Sequence, residues 1–279
     1  MKLKFTKMHG CGNDYIYVNA LAETVEDPSA AAMRLSDRHF GIGGDGLVLI
    51  RPSDKADFFM DMYNADGSRS EICGNAIRCV GKYVHDRGLT DKTELTIETL
   101  GGIKTLWLTL ENREVSSVRV CMGAPRFGCA EIPVADNAPT FLRRTIEVCS
   151  RQWQVSAVNT GNPHCVVFTE DPYALDFSRL GSAFEHHPMF PERANIEFVK
   201  VIDHNTLKMR VWERGSGETL ACGTGACASL AVSALLGKTG NAADVLLSGG
   251  KLRIEWDRKA NLLYMTGPAA FVFDGEVAL

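Results

Sequence analysis

The sequence predicts an α/β (α+β) protein of two pseudo-symmetric halves, each made mainly of strands around one apolar helix. Three observations carry this reading. Gly12-Asn13 reappears as Gly161-Asn162 (161 − 12 = 149), and Cys73-Gly74 reappears as Cys222-Gly223 (222 − 73 = 149), so two distant landmarks share one register. Alternating apolar and polar segments recur in each half and read as strands. In each half one apolar helical stripe begins immediately after a Cys.

The elements follow in order. Leu3 to His9, Asp14 to Asn19 and Phe58 to Tyr63 alternate as strands do. The offset lays Gly46 to Ile50 on Asn195 to Val199, two strand-like runs, and places Asn64 opposite Glu213. Asp27-Pro28 and Asp171-Pro172 each offer an N-cap followed by Pro at the first helical position, so a helix is predicted after both. Gly74 to Arg87 puts Ile77, Val80 and Val84 on one stripe, with Gly88 as a stop. Its counterpart starts at Gly223 and runs through Leu230, Ala231 and Leu235. A Gly pair follows in each half (Gly101-Gly102 and Gly249-Gly250), then two β-rich runs closed by Met122 to Pro125 or by Thr266 to Pro268. The halves are thus 1–122 and 123–266, with the tail 267–279 returning to the first.

At roughly 150 residues per domain, the 279 residues give a quotient of about 1.9. Hydrophobic residues at 45% and charged residues at 23% are those of a folded globular protein. A net charge of −4 without a basic block argues against nucleic acid as a partner. The longest apolar stretch, Ala226 to Leu236, is far below the roughly 20 residues of a membrane span. The start, MKLKFTKMHGCG, has no hydrophobic signal region, which predicts a cytoplasmic protein with no membrane partner. Nine cysteines occur without a CxxC and without Cys/His zinc spacing, so no metal is expected and most of the thiols should pack as small apolar side chains.

A Cys just ahead of a helix faces unpaired backbone N–H groups and the positive end of the helix dipole. With about 0.3 to 2 kcal/mol from the dipole, a thiol near 8.5 is expected to fall to about 7 to 8, suited to acid/base work. The same N–H groups form an anion site. Cys73-Gly74-Asn75 and Cys222-Gly223-Thr224 supply two, and the pseudo-twofold relation suggests that they face each other across a cleft. A carboxylate held there has a Cys on each side of its α-carbon. One thiolate removes the α-proton while the opposite thiol delivers another, which inverts the centre without pyridoxal phosphate or metal.

The segments MHGCGNDY (8–15), FGIGGDG (40–46), YNADGSRSEICGNAIRC (63–79), GNPHCVVF (161–168), ERANIEF (192–198), ERGSGETLACGTGA (213–226) and MTGPAAFVFDG (265–275) resemble the diaminopimelate epimerase family over nearly the whole chain. The resemblance implies two similar domains, each a β-barrel-like sheet around a central helix, a cofactor-independent two-base mechanism and a homodimer. It implies interconversion of LL- and meso-diaminopimelate, in lysine and peptidoglycan precursor synthesis. Cys73 and Cys222 are then the acid/base pair, and Gly74, Asn75, Gly223 and Thr224 hold the reacting carboxylate through their N–H groups. Asn13, Asn64, Asn162, Asn195 and Arg214 form the shell recognising the substrate. Glu213 holds an amino group and His164 tunes the adjacent thiol. Two departures stand out: Gly46 where some members carry Gln, and Phe273 where some carry Tyr. Thr160, before the GNPH segment, is a milder variation.

Plainer readings compete. Cys73 and Cys222 could be structural thiols, the expected state of Cys11, Cys79, Cys121, Cys129, Cys149, Cys165 and Cys227, but their equivalent placement argues otherwise. Gly41 to Gly46 satisfies GxGxxG, yet a helix precedes it and a strand follows, the reverse of a dinucleotide loop. His164 with a Cys could suggest a thiol protease, which leaves the second Cys unexplained. Glu213-Arg214 could be a surface ion pair, and the Asn residues could be turn formers. Two other functions stay open: a racemase of the same fold for an amino acid such as histidine or proline, and a non-catalytic amino-acid-binding protein.

Overall fold

The computed structural model describes residues 2–279 and divides them into two units, one of the described residues through Val120 with Thr266–Leu279, the other Cys121–Met265. In the first, β1 (Lys2–Gly10) and β2 (Asn13–Asn19) form an antiparallel hairpin, and α1 (Pro28–Ser36) leads to β3 (Gly46–Arg51), parallel to β2. Next, β4 (Phe58–Asn64) returns antiparallel to β3, and a turn brings β5 (Arg69–Ser70) back on β4. Then come α2 (Gly74–Asp86) and an antiparallel meander of β6 (Glu94–Thr99), β7 (Gly102–Glu111) and β8 (Glu114–Gly123), with β6 parallel to β4.

The second unit repeats this plan. Its strands begin with β9 (Arg144–Val148), β10 (Arg151–Asn159) and β11 (Pro163–Phe168), and α3 (Phe177–Glu185) leads to β12 (Asn195–Asp203), parallel to β11. The hairpin of β12 with β13 (Thr206–Glu213) and β14 (Gly217–Thr219) precedes α4 (Gly223–Leu235). β15 (Ala242–Leu247), β16 (Gly250–Asp257) and β17 (Leu262–Gly267) follow. Finally β18 (Ala270–Ala278) lies antiparallel on β1.

The repeat is one of hydrogen bonds as well as letters. Leu47 pairs with Tyr63 and Ile196 with Trp212 (196 − 47 = 149); α1 and α3 start at 28 and 177, and α2 and α4 at 74 and 223, the same offset each time. One turn breaks the copy: Cys11-Gly12 alone separates the paired residues Gly10 and Asn13, whereas Thr160-Gly161-Asn162 separates Asn159 and Pro163.

Both helices that follow a Cys are enclosed. Every residue of α2 from Gly74 to Val84 is buried, as is α4 from Gly223 to Ser233 apart from Thr224. α4 packs against β10, β11, β12, β13, β15 and β16, so the sheet curls around it. Helix and strands bury their apolar sides together, which is the main driving force for this layout. Gly88 and Gly237, at φ +70 and +69, stop the two helices.

One predicted helix start is corrected. Asp27 caps α1 by accepting the Ala30 N–H at 3.0 Å, with Pro28 in the first turn. Asp171 instead accepts the Tyr173 N–H at 3.0 Å in a local turn, and α3 begins only at Phe177. An Asp that bonds two residues ahead closes a turn and leaves no cap for a helix. Cys149 is a second correction: it is exposed at φ +54 in the turn between β9 and β10, while Cys121 is half-buried and Cys11, Cys79, Cys129, Cys165 and Cys227 are buried as expected. Among the described residues no helix is long and apolar enough to cross a membrane.

Candidate active site

Cys73 and Cys222 are the N-cap residues of α2 and α4. Their backbones match, with φ/ψ of −129/118 and −118/113, and each Sγ accepts the N–H three residues ahead, from Ala76 or Gly225, at 3.4 Å. A thiol thus takes the place usually held by Ser or Asp. Gly74 and Asn75, and Gly223 and Thr224, fill the first turns, where backbone N–H groups lie ahead of any intrahelical acceptor.

The surroundings of the two thiols differ. Cys73 is half-buried and donates to Asn13 Oδ1 at 3.2 Å. Asn75 Nδ2 donates to the same oxygen at 3.3 Å, and Asn13 Nδ2 donates to Asp45 Oδ2 at 2.6 Å. Arg78, wholly buried one turn into α2, donates to Asn75 Oδ1 at 2.9 Å and to the carbonyls of Gly74 and Pro268. Asn64, at the end of β4, donates to Ser68 Oγ at 3.0 Å in the turn that leads to β5.

Cys222 is buried, with Thr224 Oγ1 at 3.4 Å. Burial, with the Glu213 and Glu197 carboxylates nearby, pushes its thiol well above the ordinary range. The expected fall to about 7 to 8 is therefore overturned for Cys222. The helix end contributes at most about 2 kcal/mol, and desolvation beside two acidic groups exceeds that. Glu213 itself is pushed up by burial, against the hydrogen bond from Thr219 Oγ1.

His164 does not stand alone. Its Nδ1 lies 2.6 Å from Glu197 Oε1 and its Nε2 2.7 Å from Asn162 Oδ1. Burial raises the Glu197 carboxyl, opposed by His164. Gly225 makes room for this acid, since an added Cβ would lie 2.7 Å from Glu197 Oε1. Asn195, 2% exposed, donates to the Pro163 carbonyl at 2.8 Å and accepts the Arg214 N–H at 2.9 Å, so it braces the loop with both ends of its amide. Arg214 is exposed and donates to the Glu192 carbonyl at 3.1 Å. Thr160 has a definite place: its Oγ1 donates to the Thr224 carbonyl at 3.0 Å and ties the GNPH segment to α4.

Both departures have structural consequences. A side chain at Gly46 would run into the Tyr63 carbonyl and Asn64 of β4. Phe273 stands edge-on to Phe5, ring centres 5.9 Å apart, and stays partly exposed. Sequence reasoning missed Asp45, Arg78 and Glu197. Each lies inside a segment already singled out; the signal was Glu197 two residues after Asn195, hence on the same strand face, and Arg78 three after Asn75 on the helix. Among the described residues no cluster of three or more His, Cys, Asp or Glu could hold a metal.

The fold is shared with solved proteins of low sequence identity. A hydroxyproline epimerase from Agrobacterium vitis superposes with a TM-score of 0.72 at 15% identity, covering 99% of this chain and 91% of that one. A phenazine biosynthesis protein of the PhzF family from Bacillus anthracis gives 0.73 at 18%, covering all of both chains. These likenesses show that the chain has the α/β fold of those two proteins.

Sequence relatives narrow this. The diaminopimelate epimerase family model matches residues 5–128 and 156–272. Diaminopimelate epimerase of Acetivibrio thermocellus is 55% identical over 277 residues, and that of Methanococcus maripaludis 53% over 275, with 99% of each chain covered. The chain belongs to the diaminopimelate epimerase family.

Proposed function

We propose that this protein is an isomerase that interconverts LL- and meso-diaminopimelate by two-thiol acid/base chemistry without a cofactor. The observation that carries the reading is the placement of Cys73 and Cys222 as N-caps of equivalent helices, in a chain 55% identical to a diaminopimelate epimerase over nearly its whole length.

One thiolate takes the α-proton, the other thiol returns a proton to the opposite face, and the two sulfurs end with their protonation exchanged. Gly74, Asn75, Gly223 and Thr224 offer N–H groups to the α-carboxylate, whose charge grows as the carbanion forms. Asn13, Asn64, Asn162 and Arg214 recognise the rest of the substrate, with Asn195 holding the Arg214 backbone in place. Arg214 suits a carboxylate through paired N–H donors. Glu213 takes an amino group and, with His164, sets the protonation of the thiol chemistry. We assign the protein to the cytoplasm and to lysine and peptidoglycan precursor synthesis. We further propose a homodimer, for which the partly exposed Phe273 on β18 offers apolar surface.

The test is incubation of purified protein with LL-diaminopimelate in D₂O without added cofactor. The reading expects α-deuterium and meso product. Exchange with histidine or proline instead would select a racemase of the same fold, and no exchange with any amino acid would leave a binding protein.

A further inference from the structure

The hydrogen bonds around Cys73 run in one direction. Arg78 donates to Asn75 Oδ1, Asn75 Nδ2 donates to Asn13 Oδ1, and Asn13 Nδ2 donates to Asp45 Oδ2. A guanidinium only donates and a carboxylate only accepts. The two charged ends therefore fix how both amides are turned, because rotating either one would set donor against donor or acceptor against acceptor. Asp45 is itself held, by the Asp14 N–H at 3.1 Å and Arg38 Nη2 at 3.0 Å. An oxygen, not an NH₂ group, is consequently what Cys73 Sγ meets at 3.2 Å.

We propose that Asp45 is a positioning residue that, through Asn13, keeps Cys73 a thiol until a substrate engages Asn13. This rests on Cys73 being one of the two acid/base groups. A thiolate facing the Asn13 oxygen would lose the S–H bond and meet the negative end of the amide dipole. Once Asn13 turns to a substrate that obstacle is gone, and the start of α2 favours the thiolate; the released proton passes to bulk solvent. Among the described residues, Tyr17 of β2 and Cys79 of α2 interact electrostatically with Cys73, both raised by burial and so neutral, and the Arg78 cation of the same helix holds Asn75. The second unit has no such chain: 149 residues on from Asn13, Asp45, Asn75 and Arg78 stand Asn162, Ala194, Thr224 and Cys227.

The test measures how the alkylation rate of Cys73 by iodoacetamide depends on pH, read from the mass of its own peptide in full-length protein. Asp45→Ala and Asn13→Ala should each lower the midpoint by about half to one pH unit relative to wild type. Slow alkylation of wholly buried Cys79 in the same digest shows that the unit is folded. Should Asp45→Ala fail that check, Asp45→Asn, which no longer presents only acceptors, is expected to move the midpoint the same way. A midpoint lowered by Asn13→Ala but unmoved in the Asp45 variants overturns the role of Asp45, and midpoints unmoved in all of them overturn the chain as a whole. The D₂O assay judges epimerisation and the alkylation profile judges Asp45, so each can fail alone.

Discussion

Nδ1 of His164 lies 2.6 Å from Oε1 of Glu197, and neither side chain has any exposed surface. The second carboxylate oxygen, Oε2, is buried and has no hydrogen-bond partner among the described residues. An acid so enclosed leans on the histidine beside it. His164→Ala strands Glu197, and loss of one partner of a buried pair costs about 3 to 5 kcal/mol. Urea unfolding is expected to show a lower midpoint at an unchanged m-value; a midpoint equal to wild type would mean that the pair contributes nothing to the fold.

The acid/base assignment predicts the fate of the thiols. Cys73→Ala and Cys222→Ala should each lower epimerisation by about 10² to 10⁴-fold, the usual weight of a positioned proton-transfer group, with the far-UV circular dichroism of the native protein. Normal turnover by the Cys222→Ala protein would rule out the two-base mechanism.

Buried thiols also set an alkaline limit. Burial pushes Cys79 from 9.0 up to about 11 in the folded protein. Below 9 the thiol is protonated in both folded and unfolded chains. Between 9 and 11 only the unfolded chain releases the proton, so stability falls as pH rises, by about 1.4 kcal/mol per pH unit for one such thiol. Cys165 and Cys222, also raised well above 9.0, add to the trend. Thermal midpoints should drop steadily above pH 9, and Cys79→Ala should be less steep.

Gly225 tests the crowding beneath α4. An added methyl would stand 2.7 Å from Glu197 Oε1 and 3.3 Å from Cys222 Cβ. Gly225→Ala is expected to cost about 1 to 3 kcal/mol despite the better helix propensity of alanine, and to slow turnover through displacement of Cys222. A more stable protein would show that the acid moves aside freely.

Gly46→Gln restores the side chain found in some relatives of this family, but here it meets the backbone carbonyl of Tyr63. Backbone of a paired strand yields less readily than a side-chain end, so the variant should lose stability by about 1 to 3 kcal/mol and gain no affinity. A KM improved at unchanged stability would show that β3 and β4 adjust.

Much of this was legible because it is written in spacing. The 149-residue register needed only dipeptides, and the helix starts after Cys73 and Cys222 needed only an apolar stripe and a glycine stop. What stayed hidden depends on partners distant in the chain. A solvated helix end alone would lower the Cys222 thiol, but strand pairing brings Glu213 and Glu197 beneath it, and neither neighbour is visible in the local sequence. Asp171-Pro172 looked like Asp27-Pro28 because a cap and an Asx turn share residue types and differ in which N–H is bound. Cys149 was expected to follow the general habit of cysteine and pack, but it is exposed, and its place in a tight turn with φ +54 is local geometry that composition does not encode.

The wholly buried Arg78 distinguishes the two copies in another way. An arginine keeps its charge throughout the pH range in which proteins fold, so the first copy orders its amides around a fixed cation. The second copy orders Asn162 through the ring of His164, which is itself held by the Glu197 carboxyl group. One half thus turns its amides by a permanent charge and the other by a neutral-or-charged ring braced on an acid, so the duplicated architecture holds its two copies in place by different chemistry.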